Sequence, residues 1–517
     1  MKEFKFKEAT EGKIGTVTAV SLPSEFQFQI NLSGDKKPIV QDFVVVKHPT
    51  DENVPVLSKI VSISRFNPLL PEESTLELAQ LNIEPEMTPL PLFGTMEMIG
   101  ALCKIIGYVG PFGKMRNPGF PIKPGTDVYM PSAKYMQEIL SGEDKTDDLD
   151  VGSLRNRQDV GITVNGNEIL NKHLAVLAMT GAGKTYSVSV IIEALMRKGY
   201  PILIIDPHSD YSNIDVNEDG KKFWYKTIKN KRGKYFFKKF QAGIDLGNLT
   251  KNEFISFVAS LSEEDVSVAQ QDVWKKAYNL MQKEKKGINS LYNYLGSQNQ
   301  NATILACFRQ LNSVKNILEG TETTLKIQDI RKSFGLGKGV LLDMSNLPYQ
   351  MQRITVQLVL QRLFEKRKKF ILTKNPKSFV PPVFVIVEEA HNYAPATIEG
   401  ETFPSRTILR RIATEGRKFG FSLCIVSQRP SRLDSTVLSQ CNSQMILKIV
   451  NPNDQTYIRS SVESLAETDL KALPDLAQGE ALISGSWTPI PSVIQVKQRD
   501  SKEGIPAVKR LKEIENM

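Results

Sequence analysis

From Phe26 to Leu32 apolar and polar residues alternate without a break (Phe, Gln, Phe, Gln, Ile, Asn, Leu), the period-2 pattern of a strand with one buried face. Lys13–Val20, Val40–Lys47 and Val56–Ile63 are β-branched-rich runs separated by Pro, Gly, Asp and Asn, and together they predict a small antiparallel β-barrel. Turn-rich sequence follows from Tyr108 to Gly125, and the acidic, Gly- and Ser-containing stretch Ser141–Ser153 reads as a linker. Beyond it the pattern changes. Leu174–Ala178, Pro201–Ile205, Val340–Leu342, Val383–Val387, Ser422–Val426 and Met445–Val450 are short, near-continuous apolar runs, as in parallel strands covered on both faces. Between them Val188, Ile191, Ile192, Leu195 and Met196 fall at helical spacing with Gly199 as the stop, and Val356, Val359, Leu360, Leu363 and Phe364 repeat that spacing. The expected fold is α/β: an N-terminal barrel domain with its linker over 1–145, then a core over 146–500 and a charged tail over 501–517. Helical patterns around Phe254–Leu261, Gln271–Lys285 and Thr303–Leu318 mark an insertion at about 215–335.

Composition narrows the class. A chain of 517 residues with 33 Gly and 28 Pro is ordinary globular material, long enough for two or three compact units. Lys and Arg number 66 against 57 Asp and Glu, and the net charge of +9 favours polyanionic partners. Cys103, Cys307, Cys424 and Cys441 are far apart, which suggests neither a disulfide framework nor a zinc site. With no signal-like N-terminus and no long apolar window, a soluble, cytoplasmic protein without a membrane anchor is expected.

Ala178-Met-Thr-Gly-Ala-Gly-Lys-Thr185 fits a phosphate-binding loop with Ala in place of the usual first Gly, and it sits between an apolar strand and an amphipathic helix. Gly181 and Gly183 let the backbone curl so that N–H groups from Thr180, Ala182 and their neighbours point at phosphate oxygens. Lys184 is placed to reach the β- and γ-phosphates of ATP, Thr185 to ligate Mg²⁺, and Tyr186 to complete the nucleotide site. Val383–Val387 ends in Glu388 and Glu389, paired carboxylates of which the first is assigned to the metal shell and the second to the general base. Asp is the more usual residue at the first of these positions. Asp206 and His208, after the second strand, belong at the same sheet edge as nucleotide-site candidates. Arg411 and Arg417 precede the strand that ends at Gln428, a segment that suits either a cation and a polar group at the γ-phosphate or a basic surface helix with a polar turn.

Thr180–Thr185, Ile205–Tyr211, Val387–His391, Glu415–Gly420, Ser427–Ser431 and Asn451–Gln455 together resemble the HerA family of hexameric DNA-translocating ATPases, in the HerA–FtsK branch of P-loop proteins. The resemblance implies a RecA-like P-loop ATPase core preceded by the family's small barrel, a homo-hexameric ring with ATP between subunits, and duplex DNA in its channel. It makes Arg417 the trans arginine finger, with Arg411 the alternative, and Gln428 the sensor. It also implies a nuclease partner of the NurA type, or a Sir2-like or other effector in phage defence. An ATP-regulated ring scaffold and a motor acting on protein are the alternatives. Residues 219–239 carry nine Lys or Arg against one acid, with six aromatics interleaved. That composition suits either nucleic-acid contact or a solvated amphipathic hairpin, and the hairpin is the simpler expectation.

Overall fold

The computed structural model describes residues 4–31, 37–66, 98–141, 148–226, 232–234, 236–242, 246, 249–262, 266–284, 288–318, 327–335, 337–396, 403–462 and 465–504. The chain divides into two compact units, residues 1–143 with 153–162, and residues 144–152 with 163–517.

The first unit is built on β1 (Thr10–Ser21), β2 (Glu25–Ile30), β3 (Phe43–Lys47), β4 (Pro55–Phe66), β5 (Met98–Val109), β6 (Met115–Arg116) and β7 (Asp127–Pro131). The sheet order is β2-β1-β7-β3-β4-β5-β6, and β2 also pairs with β5, so the strands other than β6 close into an antiparallel barrel. In β2 the alternation is realised literally: Phe26, Phe28 and Ile30 are buried while Gln27 and Gln29 are exposed. Phe26, Phe28, Val44, Val46, Val56, Ile60 and Val128 fill the interior. A Cβ on Gly15 would stand 2.2 Å from the Gln29 carbonyl oxygen and 2.5 Å from the Phe28 ring, so glycine there lets β1 and β2 close over that ring.

The second unit holds β8 (Asp148–Leu154), β9 (Arg157–Asn165), β10 (Leu174–Leu177), β11 (Ile202–Asp206), β12 (Trp224–Lys226), β13 (Arg232–Lys234), β14 (Phe236–Gln241), β15 (Lys338–Asp343), β16 (Val383–Val387), β17 (Phe421–Ser427), β18 (Ser443–Ile446), β19 (Glu480–Gly485) and β20 (Ser492–Val496), with β8 and β9 reaching into residues of the first unit. Its sheet runs β14-β15-β11-β16-β17-β10-β18-β19-β20-β8-β9. The pairs from β14 to β18 are parallel, whereas β18–β19 and β19–β20 are antiparallel. Every residue of β10, β11, β16 and β17 is buried, as the unbroken apolar runs require.

Three features differ from the sequence expectation. Residues 148–153 of the expected linker lie in β8, where Leu149 and Val151 are buried with polar residues between them, a period-2 pattern hidden by the acidic composition; residues 142–147 lie outside the described set. The insertion opens with strands, not helices. Within the basic segment β12 and β13 pair antiparallel, and β14 joins the central sheet beside β15, with the Phe237 ring packed where Gly339 has no side chain; residues 227–231 and 235 lie outside the described set. The helices Lys251–Ser262, Val268–Glu284, Ile288–Gly296 and Ala302–Leu318 then follow around Phe254, Trp274, Leu291 and Leu311. Finally, residues 497–504, from the end of the expected core into the charged tail, pack back on the helix Lys184–Lys198, Glu193 accepting the Ser501 N–H at 2.8 Å and the Asp500 N–H at 2.9 Å; residues 505–517 lie outside the described set.

His173, just before β10, is fully enclosed. Its Nδ1 accepts the Leu423 N–H of β17 at 2.9 Å, so its proton sits on Nε2, which donates to the Ala413 carbonyl at 2.9 Å. Burial holds its pKa down at about 4.

Two predictions follow from this packing. Phe28→Ala should cost the barrel about 3–5 kcal/mol in urea unfolding, against less than about 0.5 kcal/mol for exposed Gln27→Ala. Because the unfolded state takes up the His173 proton near pH 6.5 and the folded state only near 4, the stability this residue contributes is complete above pH 6.5 and is lost as pH falls towards 4. Unfolding free energy between pH 6.5 and 5 should therefore fall more steeply in the wild type than in His173→Gln, by up to ~1.4 kcal/mol per pH unit.

Candidate functional site

β11, β16, β17 and β10 lie side by side and run parallel, so their carboxyl ends form one edge. That edge carries Asp206, Glu388 with Glu389, Gln428, and the loop 178–185, the placement expected of a ligand crevice in an open α/β sheet.

The loop is held on both sides as it leaves β10. The Ala178 N–H donates to the Ser427 carbonyl at 3.2 Å and the Met179 N–H to the Lys448 carbonyl at 2.9 Å. Gly181 and Gly183 have φ of 81° and 94°, a conformation that strains any residue with a Cβ. Gly183 then caps the helix Lys184–Lys198, whose positive end opens on the loop.

Lys184, 6% exposed, sits between the two carboxylates of the β16 end, 2.5 Å from Glu388 Oε1 and ion-paired with Glu389 Oε1. Burial alone would depress its pKa; the two carboxylates outweigh that and hold it raised. Glu388 is fully buried, and burial raises its pKa against the pull of Lys184 and of the Tyr211 hydroxyl, which donates to Oε2 at 2.8 Å. Glu389 adopts a left-handed φ of 49°, turning its carboxylate back over the loop. Its Oε1 accepts a hydrogen bond from Gln428 Nε2 at 2.7 Å, and Gln428 Oε1 in turn accepts from the Thr180 hydroxyl at 2.6 Å. Glu389 Oε2 is buried with no hydrogen-bond donor among the described residues; His391 Nδ1 stands 3.4 Å away. Burial holds His391 below its ordinary pKa despite Glu389, and its Nδ1 also lies 3.2 Å from the Ser427 hydroxyl.

The structure thus brings Thr180, Lys184, Glu388, Glu389 and Gln428 into one network. Thr185 adjoins it, with a hydroxyl that has no partner among the described residues. Other sequence candidates lie differently. Asp206 is fully buried and its carboxylate is taken up by its own loop, Oδ1 accepting the His208 and Asp210 N–H groups at 3.1 and 3.2 Å and Oδ2 that of Tyr211 at 3.0 Å. Burial pushes its pKa up to about 7 against those three donors. The His208 side chain is exposed, and Tyr186 turns to the tail, its hydroxyl accepting the Arg499 N–H at 3.0 Å with the Arg499 guanidinium 5.3 Å from its ring centre. Tyr211 is a site residue that sequence reasoning quoted without giving it a role.

The two candidate arginines separate cleanly. Arg411 lies 3.5 Å from Glu365 and 3.9 Å from Glu415, whereas Arg417 is exposed and its side chain has no hydrogen bond or ion pair among the described residues. Arg417 stands in a tight turn, Gly416–Phe419, where a Cβ on Gly416 would meet the Phe421 carbonyl oxygen at 2.2 Å. That turn precedes the amino end of β17, and a seven-residue strand puts about 20 Å between it and the edge holding Gln428.

Among the described residues no cluster of three or more His, Cys, Asp or Glu side chains could bind a metal by itself, and no helix is long and apolar enough to cross a membrane.

A family model described as "Helicase HerA, central domain" matches residues 149–363. The sequence is similar to a probable helicase of Methanocaldococcus jannaschii, 27% identical over 484 residues covering 92% of this chain and 90% of that one. It is 28% identical over 523 residues to the DNA double-strand break repair helicase HerA of Pyrococcus furiosus, with 93% and 92% covered. With the protein of that name from Saccharolobus solfataricus the identity is 26% over 480 residues, covering 89% and 88%.

Proposed function

The chain belongs to the HerA family of P-loop ATPases, and on that premise we propose that it is an ATP-driven motor on duplex DNA. It works as a homo-hexameric ring and serves a nuclease or other effector protein in DNA end processing or phage defence. The bridge from Thr180 through Gln428 to Glu389 carries the proposal, because it ties the phosphate loop to the hydrolytic carboxylate through one amide. Relatives named as DNA double-strand break repair helicases and a net charge of +9 support DNA as the polymer moved.

Lys184 is shared by Glu388 and Glu389. A triphosphate on the loop N–H groups and helix end competes for that ammonium. When Lys184 turns to the β- and γ-phosphates, Glu389 keeps Gln428 on Oε1 and presents Oε2 to a water. The water oxygen attacks the γ-phosphorus as its proton passes to Oε2, the bond to the bridging oxygen breaks, and that electron pair leaves with ADP; the proton returns to solvent with phosphate release. Gln428, bonded to both sides, is placed to report the loss of the γ-phosphate. Thr185 and Glu388 fit Mg²⁺: a hydroxyl without a partner among the described residues and a carboxylate are the hard oxygen donors that ion takes. When bound, Mg²⁺ neutralises charge on the phosphate oxygens. Arg417 has no partner among the described residues and stands about 20 Å from its own sheet edge, which supports action on a neighbour's nucleotide.

The test is ATP hydrolysis with and without linear duplex DNA, with the assembly mass measured alongside. DNA should stimulate hydrolysis by the hexamer, and Glu389→Gln should abolish it while ATP still binds. Hydrolysis indifferent to DNA in an intact ring would replace the motor with the ring scaffold. Arg417→Ala should lose about 10³–10⁵-fold in rate. Mixing inactive Arg417→Ala and Glu389→Gln subunits should restore activity, since some interfaces then pair an intact arginine with an intact carboxylate; no recovery would remove Arg417 from a trans role.

A further inference from the structure

The motif Asp206-Pro-His-Ser-Asp-Tyr211 follows β11 at the catalytic edge, yet neither of its two nucleotide-site candidates makes the contact its sequence position suggests. Its one side chain on the hydrolytic network is Tyr211, 1% exposed, whose hydroxyl donates to Glu388 Oε2 at 2.8 Å. We propose that Tyr211 is a positioning residue for Glu388, fixing the rotation of that carboxylate so that Oε1 alone faces Lys184 and the metal; this rests on the Mg²⁺-ATP site described above.

A glutamate's terminal torsion is broad, so a carboxylate held only by a mobile ammonium can turn either oxygen inward. Lys184 is such a partner, because it must leave for the phosphates when nucleotide binds. The Tyr211 hydroxyl takes the other oxygen, Oε2, and so does not compete with that exchange; it belongs to a frame built from the chain's own backbone. Asp206 builds that frame from beneath by accepting the N–H groups of His208, Asp210 and Tyr211 itself. The strap at 497–504 closes it from the other side. Asn213 Nδ2 donates to the Glu503 carbonyl at 2.8 Å, and Gly504 lies so close that a Cβ there would meet the Asp210 carbonyl oxygen at 2.4 Å. Asp206 therefore acts at one remove, through the backbone of Tyr211.

Partners that orient metal-ligating carboxylates typically cost 10–100-fold in metal affinity or activity when removed. The experiment titrates Mn²⁺ by electron paramagnetic resonance into this chain bound to a non-hydrolysable ATP analogue. Tyr211→Phe should raise half-saturating Mn²⁺ about 10-fold or more, while affinity for the analogue in EDTA stays within twofold of wild type. Asp206→Asn should move Mn²⁺ affinity the same way, and the double variant should be no worse than Tyr211→Phe. Should Tyr211→Phe not fold, Asp206→Asn alone decides by the same readout. Wild-type Mn²⁺ affinity in the variant, or an equal loss of analogue binding in EDTA, overturns the positioning role and leaves the nucleotide site standing. A wild-type chain that binds neither analogue nor Mn²⁺ overturns the nucleotide site and this role with it.

Discussion

One ammonium enclosed between two carboxylates is the constraint to which the rest of the core answers. Lys184, Glu388 and Glu389 are each less than a tenth exposed, and the trio carries more negative than positive charge. Charges taken out of water are tolerated only when every remaining lone pair and proton finds a partner, and such clusters seldom add stability over apolar packing. Here the supplementary donors are the Tyr211 hydroxyl on Glu388 and the Gln428 amide on Glu389. Glu389 Oε2 has no hydrogen-bond donor among the described residues, which is costly for folding and fits an atom reserved for chemistry. The fully buried strands beneath are what make that arrangement affordable in free energy.

A second consequence is mechanical. β17 carries Gln428 at its carboxyl end and follows the Arg417 turn at its amino end, so one strand spans from the hydrolytic network to the exposed cation. The helix Pro404–Glu415 that leads into the turn is pinned to the segment beyond Gln428, where buried Asp434 accepts Arg406 Nε at 2.7 Å and Arg410 Nε at 2.9 Å. His173 ties the other end of that helix to β17 through its two ring nitrogens. On the proposed sensor role, a displacement of Gln428 would be passed to packed elements that shift as units.

What could be read from the sequence depends on whether the signal is local. The unbroken apolar runs of β10, β11, β16 and β17 and the alternation of β2 are written within a few residues each, and both sheets were legible from them. β8 and β14 were not, since acidic and basic residues on their outward faces hide the buried Leu149, Val151 and Phe237. Nor was the antiparallel extension through β19 and β20, whose partner β18 lies more than thirty residues earlier. The paired acids after an apolar strand announced Glu388 and Glu389. The role of Asp206 was masked because an aspartate can satisfy N–H groups two to five residues ahead as readily as it can face a ligand. The direction of the Tyr186 hydroxyl is set by residue 499, a contact no local pattern encodes.

The same lysine gives the site a simple logic. Its ammonium cannot neutralise two carboxylates and a triphosphate at once, so on the proposed mechanism arrival of nucleotide and release of Glu389 as a base would be a single electrostatic event. On the same proposal, departure of the γ-phosphate would reverse it, returning Lys184 to the carboxylates and closing the base. Gln428 follows both halves because its amide holds Thr180 on one side and Glu389 on the other. Tyr211 and Asp206 lie behind this exchange and do not take part in it, which keeps Glu388 in place while its partner changes. In that proposal a carboxylate fixed by Tyr211 beside an ammonium that changes partner is the asymmetry through which hydrolysis would move one part of the site against another.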